Sequence, residues 1–411
     1  MSSRRKFVRQ LLGATAGLAA SRALASGHVL GANDRVRVAL IGAGGRGQEI
    51  LRSALRSANT EAVAVADVYA LRLEEVKGYV PGIKTFTDFR RLLEIPGLDA
   101  VLIATPQHQH ALNFVPSIQA GKDVYQEKTM AFNPDHAKRM RSAYIASNRV
   151  VQIGIQSISS AAWYRARELA RPELLGDVTA VHAHMYRNAP YGGWLKPVPR
   201  DCTPERVDWK LFQGEAEPRP FDADRVIHWR FYWDYSGGNV FENMVHQVGF
   251  WYKALNLQIP RSVTMNGGNY RSPKMQVPDT MDIAMDQPEN LLFTWNSGFY
   301  SRHYNADEQV LGTKGTIIRR DDDVSYAPEG GTGNPKLAEP AKGTDAPPDV
   351  VGAGDDTDLH MRNFIDCVRS RKEPNCPFEV GFRSAIAVRM AITSYREGQK
   401  VRWDAQREEV V

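Results

Sequence analysis

Five apolar residues and one arginine, Val36-Arg37-Val38-Ala39-Leu40-Ile41, run directly into Gly42-Ala43-Gly44-Gly45-Arg46-Gly47. Beyond them Ile50, Leu51, Ala54 and Leu55 recur at helical spacing. A strand, a G-x-G-x-x-G turn and a helix in this order predict the first unit of a parallel dinucleotide-binding sheet. Gly42 permits the tight turn, Gly44 lets a pyrophosphate approach the backbone, and Gly47 lets helix and strand pack closely. The helix N-terminus adds N–H donors and a favourable dipole for phosphate.

A second strand, Ala62 to Ala66, ends at Asp67, where a carboxylate is placed to accept hydrogen bonds from an adenosine ribose. Its charge opposes a 2′-phosphate and favours NAD, while Arg46 and Arg72 leave NADP open. A third strand, Asp99 to Ala104, leads into Thr105-Pro106-Gln107-His108-Gln109-His110, and a fourth, Asp123 to Tyr125, into Gln126-Glu127-Lys128-Thr129. Ligands of open parallel sheets bind at the C-terminal strand ends. That rule singles out Thr105, His110, Glu127 and Lys128.

Charge argues against a nucleic-acid protein. Lys and Arg number 52 against 47 Asp and Glu, and the excess is matched by Arg4, Arg5, Lys6, Arg9 and Arg22 alone. Residues 1–25 read as a twin-arginine export signal. Ser3-Arg4-Arg5-Lys6-Phe7-Val8-Arg9 precedes a mild apolar stretch, Leu11 to Ala20, and Ala23-Leu24-Ala25 gives a small-residue cleavage site. Residues 26–34 form a linker. The stretch is too short to span a bilayer, so a periplasmic or secreted protein with no stable membrane anchor is expected, delivered by the twin-arginine export machinery. Of three cysteines, Cys367 and Cys376 either pair in an oxidising compartment or, with Cys202, stay buried free thiols.

The glycine turn, Thr105-Pro-Gln-His-Gln-His110 and Gly121-Lys-Asp-Val-Tyr-Gln-Glu-Lys128 resemble the glucose–fructose oxidoreductase, inositol dehydrogenase and rhizopine catabolism family (Gfo/Idh/MocA). So do Gly237-Gly238-Asn239 with Glu242 and His246, Leu311-Gly-Thr-Lys-Gly-Thr316, and Asn363 to Ser370. The resemblance implies a Rossmann domain over 35–155 and an α+β domain over 156–411. The second domain would carry a large open, mostly antiparallel sheet that also supports homo-oligomers. It implies that Lys128 hydrogen-bonds the reacting oxygen and that His246 is the general base. By itself His246, beside Gln247, reads as a core histidine. Cofactor contacts are expected from Gly42, Gly44, Arg46, Gly47, Asp67, Thr105, His110, Glu127, Lys128 and Gln156. Thr129 stands where the family has proline, Glu242 where aspartate is common, and Gly249 where a further aspartate is common.

Strands are expected near Val178–Tyr186, Ser262–Asn269, Asp282–Asp286, Leu291–Trp295, Asp307–Leu311 and Thr316–Arg319. Residues 320–355 read as a surface loop. Two terminal helices, near His360–Arg371 and Val380–Glu397, are expected to close the second domain. His228-Trp-Arg-Phe-Tyr-Trp-Asp-Tyr235 is unusually aromatic. With Tyr191 and Trp194 it suits either a polyhydroxylated ligand or a core. Candidate substrate contacts are Arg187, Tyr191, Trp194, Trp229, Trp233 and Glu242. His182 and His184 share one strand face, and His108 and His110 form a second pair, but no metal site is expected because hydride transfer to NAD needs none.

The reading is an exported NAD-dependent oxidoreductase, NADP being possible, that acts on a hydroxyl of a sugar or glycoside with a tightly bound cofactor. Its rivals are an NAD-dependent glycosidase working by a redox-neutral cycle and a catalytically silent sugar-binding protein.

Overall fold

The computed structural model describes residues 35–330, 336–337 and 355–411. The export signal and linker read at 1–34 lie outside the described residues. Six strands, β1 (Val36–Ile41), β2 (Thr60–Ala66), β3 (Lys84–Phe86), β4 (Ala100–Ile103), β5 (Asp123–Glu127) and β6 (Val151–Gly154), form a parallel sheet ordered β3-β2-β1-β4-β5-β6. Alternation divides its side chains between two layers. Val38, Leu40 and Leu102 pack with Ile50 and Leu51 of helix Gly45–Arg56, whereas Ile41, Val101 and Ile103 face the opposite core. Each such residue is wholly or almost wholly buried, which stabilises the fold by about 1.5–3 kcal/mol per aliphatic side chain.

The second sheet has ten strands: β7 (Val178–Tyr186), β8 (Ser262–Gly268), β9 (Thr280–Asp286), β10 (Leu292–Gly298), β11 (Ala306–Gly312), β12 (Gly315–Arg320), β13 (Asp323–Pro328), β14 (Lys336–Leu337), β15 (Val401–Asp404) and β16 (Glu409–Val410). Every pairing is antiparallel except β7 with β10. Along β7 the buried Val181 and Ala183 alternate with half-buried His182 and His184 on the opposite face. Helix Val245–Ala254 lies on the buried face. There Gln247 Nε2 and Trp251 Nε1 donate to the Glu308 carboxylate at 2.9 and 2.5 Å.

Two expectations are corrected. The helix expected near His360–Arg371 runs over Asp356–Ser370 and covers the Rossmann sheet, not the second one. Met361, Phe364 and Ile365 join Val38, Leu40 and Leu102 in one cluster, because the helices following β1 and β2 leave that face bare beyond β4. Within the expected loop, Asp323–Pro328 is strand β13. It forms a hairpin with β12 through a turn at Asp321, whose φ of 51° is left-handed. The three cysteines are buried free thiols.

Candidate active site

A cleft of about 870 Å³ opens at the C-terminal ends of β1, β2 and β4. Its floor is the glycine turn. Gly42 has φ +90°, and a Cβ there would stand 2.7 Å from the Thr105 nitrogen. A Cβ on Gly47 would meet the Gly42 carbonyl, so strand and helix touch at this point. At Gly44 and Gly45 a Cβ would meet nothing within 4 Å, leaving room over the backbone for a phosphate. Asp67 lines the cleft at the end of β2 and accepts from the N–H groups of Ala43 and Tyr69 at 2.6 and 2.8 Å. Burial pushes its carboxyl up, against those two donors. These residues fit a dinucleotide.

The other wall comes from residues 194–235, a strap that crosses the glycine turn and is tied down on both sides. Beyond β2, Val207 pairs with Tyr69, Tyr69 Oη donates to Asp201 at 2.8 Å, and Arg206 meets Glu74 at 2.9 Å. Beyond β4, Gln109 Nε2 donates to the Phe212 carbonyl at 2.6 Å, and Arg139 pairs with Glu215 at 3.0 Å. The strap has its own small core of Cys202, Val207, Phe212, Val226 and Tyr235. No sequence pattern announced it, because a stretch with five prolines and interspersed charged and aromatic residues carries neither helical nor strand period.

Arg230, on this strap, lines the far end of the cleft and leads to the charged centre. Glu242 sits in a π-helical turn, Val240–Met244, that runs into helix Val245–Ala254. Such turns recur at functional sites. Its Oε2 lies 2.9 Å from Lys128 Nζ and 3.1 Å from Arg230 Nε, and its Oε1 accepts from Gln107 Nε2 at 2.5 Å. Lys128 Nζ also donates to the Glu242 backbone carbonyl at 3.1 Å. Burial alone would raise the Glu242 carboxyl, but Arg230 and Lys128 outweigh it and hold it at about 2. Glu242 is therefore a fixed anion that positions Lys128. His246 follows one turn later. Burial and the Lys128 charge push its imidazole well below its ordinary value, and neither ring nitrogen has a hydrogen-bond partner among the described residues. A neutral imidazole with an open nitrogen beside an ammonium can take a proton from a group that the ammonium also touches.

Of the expected cofactor residues, Gly42, Gly44, Arg46, Asp67 and Thr105 line the cleft, and Gly47 supports it from below. The four others are not among its lining: Lys128 sits at the charged centre with Glu242, and His110, Glu127 and Gln156 are turned elsewhere. His110 is buried, with Nδ1 and Nε2 at 2.7 and 2.9 Å from the carbonyls of Thr129 and Thr105, so it clamps two strand ends together. Glu127 is buried beneath the turn, where Arg46 Nε and Gln156 Nε2 donate to it at 2.8 and 3.1 Å. Gln156 also donates to Tyr125 Oη at 3.0 Å.

The expected substrate residues divide as well. Trp229 lines the cleft, but Trp233 packs against Tyr395, ring centres 6.1 Å apart, and does not. Arg187 and Trp194 group around Phe299, while Tyr191 packs on Phe231. His182 and His184 bond Thr294 and Asn296 of β10, and His108 bonds the Phe212 carbonyl. Among the described residues no group of three or more His, Cys, Asp or Glu could hold a metal ion.

Two family models match the chain. The oxidoreductase family NAD-binding Rossmann fold covers residues 36–155, and the oxidoreductase family C-terminal alpha/beta domain covers 210–402. The chain belongs to the Gfo/Idh/MocA oxidoreductase family. Over 341 residues it is 34% identical to a glycosyl hydrolase family 109 protein of Stenotrophomonas maltophilia, covering 75% of this chain and 72% of that one. Over 156 residues it is 29% identical to an inositol 2-dehydrogenase/D-chiro-inositol 3-dehydrogenase of Shouchella clausii, covering 37% of this chain and 45% of that one. A levoglucosan dehydrogenase, solved with NADH and levoglucosan, has the same fold. It superposes with a TM-score of 0.70 at 16% identity, over 90% of this chain and 99% of that one.

Proposed function

We propose that the chain oxidises a hydroxyl of a sugar or glycoside with a bound nicotinamide dinucleotide, using Lys128 and His246 to handle the proton. The observation that carries this reading is the gathering of Lys128 and Arg230 on the Glu242 carboxylate, at 2.9 and 3.1 Å, where the dinucleotide cleft ends. When bound, the cofactor supplies the acceptor for the hydride of the carbinol C–H. The hydroxyl proton is left to the chain. His246, neutral and unbonded, takes it, while Lys128 stabilises the oxygen as negative charge develops. Glu242 fixes the ammonium so that no reorganisation is needed in the transition state. Adding a panel of sugars and glycosides to the protein and following the near-ultraviolet absorbance of reduced nicotinamide tests this reading, and no response to any of them contradicts it.

A second reading is favoured by the glycosyl hydrolase family 109 relative. Oxidation of a ring hydroxyl makes the adjacent C–H acidic. A base removes that proton, the aglycone leaves from the anomeric carbon, water adds, and the same hydride returns to the carbonyl. Glycoside and water become sugar and alcohol with no net oxidation. Cleavage without added dinucleotide or carbonyl acceptor supports this cycle, whereas acceptor-dependent oxidation supports the dehydrogenase.

Either reading suits an exported protein only if the cofactor stays bound, because no general dinucleotide pool exists outside the cytoplasmic membrane to renew it. The strap, anchored on both sides of the glycine turn, supports retention. NAD is favoured over NADP because Asp67 lines the cleft, while Arg72 is paired with Glu75 at 3.0 Å and Arg46 with Glu127 at 2.8 Å.

A further inference from the structure

Among the described residues, two guanidinium groups beside the charged centre lack enough counter-charge. Arg187 lies just past the end of β7. Its Cζ is 5.0 Å from the ring centres of both Trp194 and Phe299. It makes no side-chain hydrogen bond or ion pair with any described residue, and its Nη2 is buried without a partner. Arg230 has its Cζ 4.1 Å from the centre of Trp229 and 5.8 Å from that of Trp194, so both arginines surround one indole. Among the described residues Arg230 pairs with Glu242 alone, which Lys128 already shares. Among the described residues Lys128, Arg187 and Arg230 thus face a single carboxylate, and His246 is neutral. An oxidised nicotinamide, when bound in the adjoining cleft, would supply further positive charge. Aromatic faces attract cations but do not neutralise them. A desolvated cation without a partner is costly unless a ligand completes it.

We infer that the sugar taken by this site carries an anionic group seated against Arg187 and Arg230, a carboxylate being the best match to a guanidinium fork. A uronic acid or its glycoside is the substrate class. A sulfate ester offers the same charge with a different shape. The inference deepens the proposed hydride-transfer reading and rests on it for the word substrate, but the binding preference stands independently of turnover.

Calorimetric titration of the dinucleotide-loaded protein tests it. The probes are the methyl glycosides of glucuronic, galacturonic and mannuronic acids, the matching uncharged uronamides, and the matching 6-sulfated methyl hexosides. At least one uronide is expected to bind about tenfold or more tightly than its uronamide. Added salt narrows that ratio in the unaltered protein, and Arg187→Gln or Arg230→Gln removes most of it. Tighter binding of a 6-sulfate than of its uronide, with the same arginine dependence, assigns the anion to a sulfate ester. Uronamides binding as tightly as both anions, no binding by any anionic sugar, or a ratio unchanged in both arginine variants overturns the inference. Arginine-dependent anion binding without any reduction of the cofactor leaves it standing and removes the hydride-transfer reading instead.

Discussion

The Thr129 hydroxyl donates to the Phe241 carbonyl at 2.7 Å, joining the segment that carries Lys128 to the turn that carries Glu242. The Thr129 side chain is fully buried. The bond ties the two domains together one residue away from each charged partner. Thr129→Val keeps the volume and removes the hydroxyl's bond to the Phe241 carbonyl. We expect a loss of ~0.5–1.5 kcal/mol in denaturant unfolding and a several-fold fall in kcat, with dinucleotide content unchanged. Unaltered stability and kcat would show that the bond holds nothing in place.

Replacing either member of the proton-handling pair separates chemistry from binding. Lys128→Ala and His246→Ala should each lower turnover by about a hundredfold or more. The histidine variant should retain its dinucleotide, because the ring lies outside the cleft's lining. Near-normal turnover in either variant removes that residue from the mechanism.

Cofactor choice rests on Asp67. The unaltered protein should bind NAD at least about tenfold more tightly than NADP, on the scale of a charge-assisted hydrogen bond. Asp67→Ser should narrow the ratio by removing the carboxylate. Equal or tighter NADP binding by the unaltered protein contradicts the assignment. The same variant frees the Ala43 and Tyr69 N–H groups, so its stability must be measured alongside.

Acid should unfold the protein early. Burial holds the imidazoles of His108 and His360 down to about 3, from an ordinary value of 6.5. In the unfolded chain both take up protons as pH falls through 6.5, while the folded chain takes none until near 3. Stability should therefore decline across that window, by up to ~1.4 kcal/mol per pH unit for each histidine. Glu242, held at about 2 against an ordinary 4.5, contributes stability that is present above 4.5 and lost as pH falls toward 2. Urea unfolding at pH 6.5 and pH 5 checks the sign, and equal stability at the two contradicts it.

What the sequence disclosed followed from local geometry. The glycine turn, Asp67 and the strand ends around Thr105 are contiguous pieces whose function is set by short-range backbone shape, and each lies where the pattern implied. Lys128 was legible as a strand-end residue, but His246 and its pairing with Lys128 only through resemblance, since 118 positions separate the two and no periodicity signals their meeting. His110, Glu127 and Trp233 were misplaced because a position at a strand end or in an aromatic run does not say which way a side chain turns. His110 turns to two carbonyls, Glu127 to Arg46, and Trp233 to Tyr395. Helix Asp356–Ser370 shows the same limit at larger scale. Its apolar stripe predicts burial, but only the bare face beyond β4 says against what.

In the proposed reaction His246 takes the proton of a sugar hydroxyl whose hydride a dinucleotide in the cleft would accept. A single-turnover measurement tests it most directly. Dinucleotide-loaded protein is mixed anaerobically with saturating uronides and neutral glycosides, and reduced nicotinamide is followed by absorbance. The expected result is a fast rise to as much as one reduced nicotinamide per chain with at least one sugar, slowed about a hundredfold in His246→Ala. A protein that carries dinucleotide yet gives no rise with any sugar, or one whose His246→Ala variant rises at the unaltered rate, contradicts the account.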